Sequence, residues 1–229
     1  MTDVLAQLGT VLMVWAHPDD ETYLAGGLSA ALTASGQRVV CVTATRGEAG
    51  GEAADLAAIR TTELEAALAL LGVEEHHWLD YPDGGCAAVD EATAAARVRG
   101  YIDVVDPDTV VTFGPDGFTG HPDHQAVSRW VDLAVTARKT RVLHAVAREQ
   151  RPDASLDEDY GVFELGLPRV VPDDEIDVLF AIDETLLERK VAALLLQESQ
   201  TAGLVAAVGL ERFRAWVAVE ALAAPAPTR

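Results

Sequence analysis

The stretch T-V-L-M-V-W-A-H-P-D-D-E, Thr10 to Glu21, decides how this chain folds. An apolar, partly β-branched run stops at a histidine, a proline and three consecutive acids. A strand covered on both faces reads as such a continuous apolar run. Acids directly after it are what a helix start favours, because an aspartate before the first turn accepts free N–H groups and further acids suit the helix dipole. The stretch therefore predicts a strand passing into a helix.

The same pattern repeats outward from it. Apolar runs at 38–45 (R-V-V-C-V-T-A-T), 76–81 (H-H-W-L-D-Y), 109–113 (T-V-V-T-F) and 141–147 (R-V-L-H-A-V-A) are separated by helical segments. Strand-helix alternation predicts a parallel sheet with right-handed crossovers, an α/β, Rossmann-like doubly wound fold with helices on both faces. The stretch 149–177 loses periodicity and is rich in acids and prolines, which reads as excursion loops or a small hairpin. Beyond the run V-L-F-A-I, Asp183 reads as the N-cap of a helix through about Gln200, and a further helix is expected over about 209–222. The expectation is a mostly parallel sheet plus a small C-terminal hairpin and helix extension, in one domain spanning 1–229.

Composition narrows the function. With 37 acidic against 17 basic residues the formal net charge is -20, too little basic surface for a nucleic-acid stripe. No apolar run reaches a membrane span, and the N-terminus lacks a signal-peptide pattern, so a soluble cytoplasmic protein with no membrane partner is expected. Two cysteines, Cys41 and Cys86, are too few for a disulfide framework or a thiolate metal site. Any metal would use histidine and carboxylate. The faces of the terminal helices do not separate a monomer from a homo-oligomer.

In doubly wound sheets ligands bind beyond the carboxyl ends of the strands. Read alone, H-P-D-D-E-T is a helix cap. The balance shifts at F-G-P-D-G-F-T-G-H-P-D-H (113–124), which again follows a strand and again joins histidine to aspartate across a proline. A catalytic zinc takes three protein ligands and leaves a position for water. His17 and Asp20 can reach one ion from a strand-to-helix turn, with His124 as the natural third ligand. Asp19 and His121 remain as base and oxyanion donor, with Asp123 placed to orient an imidazole.

The pair A-H-P-D-D-E and G-H-P-D-H resembles the two signature motifs of the PIG-L/LmbE-like zinc-dependent N-deacetylases, over about Val11 to Gln200. The resemblance implies His17, Asp20 and His124 as ligands of one zinc ion per chain, another divalent ion being the alternative. It implies Asp19 as general base, and His121, with Asp123 beside it, as an imidazolium that stabilises the oxyanion and protonates the leaving amine. The implied reaction removes an N-acyl group, usually the acetyl of an N-acetylglucosamine unit. A small amino-sugar or thiol-conjugate substrate follows. The alternatives are a cysteine-sugar conjugate amidase of the same family and a non-catalytic metal-containing binding module. A nucleotide-binding domain is disfavoured by the missing Gly-rich fingerprint.

Supporting residues are weaker. Arg60 falls within the apolar stripe of the helix around Leu56, Leu64 and Leu68, where it needs a partner: an ion pair with Glu63 or a substrate role, the family segment R-x-x-E-L-x-x-A-L favouring the second. Glu48, in the T-R-G-E-A-G-G loop, is a candidate for sugar hydroxyls. Thr119 stands where the family often has an aromatic, and Gln197 where many relatives carry histidine. Both departures bear on the substrate and neither removes a ligand. His76, His77 and His144 read as structural, and the four tryptophans as core or helix-packing residues.

Overall fold

The computed structural model describes residues 2–136, 138–150 and 154–226. In chain order the elements are α1 (Thr2–Ala6), β1 (Val11–Trp15), α2 (Asp20–Ala34), β2 (Val39–Thr43), α3 (Leu56–Leu71), β3 (Glu75–Trp78), α4 (Glu91–Val105), β4 (Thr109–Phe113), α5 (Gly117–Gly120) and α6 (Pro122–Val135). They continue with β5 (Arg141–Ala145), β6 (Ala147–Arg148), α7 (Ala154–Tyr160), β7 (Val170–Val171), β8 (Val178–Ala181), α8 (Glu184–Leu196), α9 (Glu198–Val208), α10 (Leu210–Trp216) and β9 (Val219–Ala223).

Seven strands form one sheet in the order β3-β2-β1-β4-β5-β9-β8. The first five run parallel, and β9 and β8 add antiparallel at one edge. The chain steps from β1 outward to β3, then crosses back to β4 and on to β5. With right-handed crossovers that reversal puts the connecting helices on opposite faces. Accordingly α2, α3 and α8 pack together while α4 packs on α6. Every residue of β1, β2 and β4 is buried, as their continuous apolar runs require. The reversal also opens a crevice beyond the carboxyl ends of β1 and β4, where both histidine motifs lie.

Two expectations are corrected. Residues 209–222 are not one helix: α10 ends at Trp216, and Val219–Ala223 form β9, whose pairing to β5 and β8 inside the sheet outweighs the helix propensity of its alanines. The C-terminal extension thus consists of α8 to α10 and two antiparallel strands, β8 and β9, which join the edge of the main sheet. Within 149–177, α7 forms and β6 pairs in parallel with β7, while residues 151–153 of that stretch lie outside the described residues. Asp183 does cap α8, accepting from the Leu186 N–H at 2.9 Å. That helix ends at Leu196, and α9 leaves it at 114°. Among the described residues no single helix is long and apolar enough to cross a membrane.

Candidate active site

The turn from β1 into α2 does not behave as a simple cap. Asp19 occupies the N-cap position with φ 102° and ψ -33°, and its side chain makes no capping bond. A non-glycine residue there carries strain of about 1–3 kcal/mol and persists only where its surroundings impose it. Here they do: the Asp19 N–H donates to Oε2 of Glu21 at 3.1 Å, and the Asp19 carbonyl accepts the Thr22 and Tyr23 N–H groups. Freed from capping, the Asp19 carboxylate faces Nη2 of Arg60 at 3.3 Å. The Asp20 carboxylate instead turns back and accepts the His17 N–H at 2.8 Å. At the second motif His121 is itself the N-cap of α6, its Nδ1 accepting the Asp123 N–H at 3.2 Å, and Pro122 opens the helix.

Three donors converge between the motifs. Nδ1 of His17 lies 3.1 Å from Nε2 of His124, Oδ2 of Asp20 lies 3.7 Å from the former, and Oδ1 of Asp20 lies 3.4 Å from the latter. A tetrahedral zinc with ligand arms of about 2.0–2.2 Å separates its ligand atoms by about 3.4 Å, so this triangle has the size of a zinc site. A nitrogen of His121 also comes within 4.8 Å of those of His17 and His124.

The ring tautomers fit the same purpose. Nδ1 of His124 lies 2.9 Å from the Gly117 carbonyl, and donating its proton there leaves Nε2 with a lone pair facing inward. Nε2 of His17 lies 3.0 Å from Oδ1 of Asp83 and 3.4 Å from Oδ2 of Asp123, which leaves its Nδ1 free. A ligating imidazole that donates its other N–H to a carboxylate or carbonyl is the arrangement metal centres use to fix the ring. The charge balance agrees. Burial alone would lower His17, yet Asp123, Asp83 and Asp20 raise it to about 10. The cluster attracts positive charge.

Burial pushes Asp19 up to about 8, with Arg60 and His17 opposing and Asp20 and Glu21 adding. His121 differs from the expected imidazolium. Burial and the neighbouring His17 hold it below the ordinary histidine value, Asp123, Asp20 and Asp83 opposing, and the N–H donated to its Nδ1 favours the neutral Nε2–H form.

The supporting residues divide. Arg60 is buried and pairs with Asp19 and the carbonyls of Pro18 and Gly47, whereas Glu63 bonds Ser199 on α9, so the alternative of an Arg60–Glu63 ion pair is not formed and Arg60 stands beside Asp19 at the site. Glu48 accepts the Asp83 N–H at 3.0 Å while Asp83 accepts the Ala49 N–H at 2.8 Å, a latch between two loops. The Asp123 carboxylate bonds His17 and the N–H groups of Gly84 and Cys86; only its backbone reaches His121. Thr119 sits at the rim, its hydroxyl 3.5 Å from Nδ1 of His124. Asp83 follows the third strand at the sheet edge where ligands bind, but it has no motif of its own and carries no assigned role in the sequence; it meets His17 through that loop. His76 and His77 pack on Trp78 and Tyr101 as structural residues, and buried His144 has no hydrogen bond at either ring nitrogen among the described residues, Oδ1 of Asp132 standing 3.7 Å from its Nε2.

Asp19, Asp20 and His124 also form one end of a cavity of about 360 Å³. Residues of α7, α9, α10, β6 and β9 also line it, Trp216 among them.

Residues 12–135 match the PIG-L family, described as GlcNAc-PI de-N-acetylase. A 1D-myo-inositol 2-acetamido-2-deoxy-alpha-D-glucopyranoside deacetylase from Mycobacterium sp. (strain KMS) is 34% identical over 229 residues, covering 80% of this chain and 71% of that protein. Among solved structures, the conserved protein TT1542 from Thermus thermophilus superposes with a TM-score of 0.63 at 26% identity, over 96% of each chain. The N,N'-diacetylchitobiose deacetylase from Pyrococcus horikoshii superposes with a TM-score of 0.69 at 21% identity, over 96% of this chain and 85% of that one, a likeness of fold.

Proposed function

Because the chain belongs to the PIG-L family of de-N-acetylases, we propose that it is a zinc-dependent hydrolase removing an N-acyl group, acetyl in the first instance, from the amine of a small amino-sugar conjugate. The observation that carries this reading is the triangle of His17, Asp20 and His124, with Asp19 beside it. Those three residues would hold the zinc, which when bound supplies Lewis acidity toward an amide carbonyl and acidifies water.

The remaining steps belong to the chain. Asp19 takes a proton from the attacking water as the new C–O bond forms. Arg60 fixes its carboxylate and Glu21 its backbone, so little motion is needed at that moment. His121 donates its Nε2–H to the oxygen on which charge develops. As the C–N bond breaks, Asp19 returns the proton to the leaving nitrogen, so one carboxyl serves as base and then acid. Asp83 and Asp123 hold the His17 ring throughout.

A free-amine assay with zinc-replete enzyme over N-acetylglucosaminyl inositol, N-acetylglucosaminyl malate and bulky thiol-conjugate amides tests reaction class and substrate together. His124→Ala should lose zinc and turnover, and Asp19→Asn should keep zinc and lose turnover. An active Asp19→Asn enzyme would remove Asp19 from the base role, and a zinc-loaded protein inert on the whole panel would favour the binding module.

A further inference from the structure

We propose that the cavity beside Asp19, Asp20 and His124 receives an apolar N-acyl chain longer than acetyl, a straight chain of about six carbons, so that the physiological substrate is an N-acyl amino sugar of medium chain length. The proposal rests on the hydrolase reading above and specifies which substituent of the amide lies in the cavity.

Size gives the first argument. A volume of about 360 Å³ holds roughly twelve water-sized groups at about 30 Å³ each, whereas the methyl of an acetyl group fills about one. A site built for acetyl alone would not keep such a space next to its reacting atoms.

The walls give the second. Leu24, Phe118, Phe163, Leu204, Val217 and Trp216 supply apolar surface. Apart from Asp19, Asp20 and His124 at the reacting centre, the charged side chains at the wall are already engaged: Arg148 with Asp173 at 3.1 Å, Asp157 with the Trp216 Nε1–H at 3.0 Å, and Glu220 with Lys190 at 2.8 Å, which leaves Tyr23, Thr119, Tyr160 and Gln200 as the uncharged polar groups of the lining. A hexose carries a hydroxyl on nearly every carbon, and burying those groups against such walls would leave them short of partners. An alkyl chain loses nothing there.

Position gives the third. At an amide carbonyl the acyl chain and the amine diverge. His17, His121, Asp83 and Glu48 are absent from the cavity lining, and the carboxylates of Asp83 and Asp123 stand on the Nε2 side of His17. The polar flank suits the sugar, and the cavity is left to the acyl chain. The stretch 154–163, unpatterned in sequence, supplies part of that wall through Asp157, Tyr160, Val162 and Phe163.

The test is a series of N-acyl glucosamines (acetyl, butyryl, hexanoyl, octanoyl) with zinc-loaded enzyme, read as kcat/KM. Burial of one methylene is worth about a threefold to fourfold gain, so hexanoyl should exceed acetyl at least tenfold. Ala147→Phe, which fills the wall from β6, should lower the hexanoyl rate at least ten times more than the acetyl rate, and the milder Ala147→Val should shift the optimum toward shorter chains if the first variant does not fold. In a separate measurement, hexanoate should change tryptophan fluorescence saturably where acetate does not, through Trp216. Rates that fall steadily from acetyl onward would overturn the acyl-chain assignment and leave the deacetylase standing. A chain-length gain untouched by both variants would place the chain elsewhere and equally overturn it. If no member of the series is hydrolysed, the hydrolase reading itself fails and this inference with it.

Discussion

The backbone N–H of Asp19 donates to the carboxylate of Glu21 at 3.1 Å, so the third acid of the motif holds the main chain of the first. Glu21 is fully enclosed by donors: Thr22 Oγ1 at 2.5 Å and Gln197 Nε2 at 3.1 Å bind its other oxygen. Gln197, at the sharp break between α8 and α9, thus reaches Asp19 through Glu21. A glutamine at position 21 would have to point an NH2 group at one of these donors. Glu21→Gln should lower kcat by about tenfold to a hundredfold, the scale of a small misplacement of a reacting group. Zinc content and KM should stay near the parent values. A matching loss of zinc would mean that Glu21 supports the ligands and not the base.

Asp83 reaches Nε2 of His17 at 3.0 Å, with burial opposing and His17 holding its carboxyl down at about 2. Asp83→Asn keeps the shape and removes the charge. Zinc affinity, measured by competition with a chromophoric chelator, should fall by about 10-fold to 100-fold, the usual effect of losing a partner behind a ligand. Glu48→Gln should produce a weaker effect in the same direction, because Glu48 acts on Asp83 through its backbone. Unchanged affinity in Asp83→Asn would show that Asp123 alone orients the ring.

How much of this was legible in the sequence follows from how far apart the interacting residues lie. The five parallel strands and the two histidine motifs are local patterns, and His17, Asp20 and His124 meet where the strand ends put them. Asp83 was not legible as a partner of His17, because nothing near D-G-G tells which loop it will face. The chain at 218–223 misleads for another reason: A-V-E-A-L-A has the alanines of a helix, and only its place between β5 and β8 makes it a strand. Arg60 was legible by half. Its position in the apolar stripe signals a buried partner, but the partner is Asp19, 41 residues earlier in the chain, and not the neighbouring Glu63.

Gly47 lies under the Arg60 guanidinium with φ +69°, and a Cβ there would collide with the guanidinium carbon. Both the backbone conformation and the contact exclude a side chain. Gly47→Ala should therefore push Arg60 away from Asp19 and lower kcat at least tenfold. The Gly36→Ala variant is a control for backbone strain alone, because its φ is also positive, +81°, and nothing lies within 4 Å of its Cβ position. It should lose some stability but keep kcat. Equal kcat losses in the two variants would refute the link from Gly47 through Arg60 to Asp19.

Glu220 on β9 holds together a broken helix. α2 leaves helical geometry at Ala25, and the N–H groups of Gly27 and Leu28 that this exposes both donate to the Glu220 carboxylate at 2.8 Å. The same carboxylate pairs with buried Lys190, whose Nζ also donates to the Tyr23 carbonyl at 2.8 Å. Glu220→Ala leaves a buried ammonium without its counter-charge and two N–H groups without their acceptor, and should cost about 3–5 kcal/mol. For a chain of this size that is a fall in Tm of about 10 °C. Lys190→Met should cost less, because Glu220 keeps both N–H groups. The double variant should be more stable than Glu220→Ala alone, since the unpaired ammonium is gone. Thermal unfolding of the four proteins at one zinc concentration measures the coupling, and strictly additive losses would show that the pair contributes nothing beyond the helix cap.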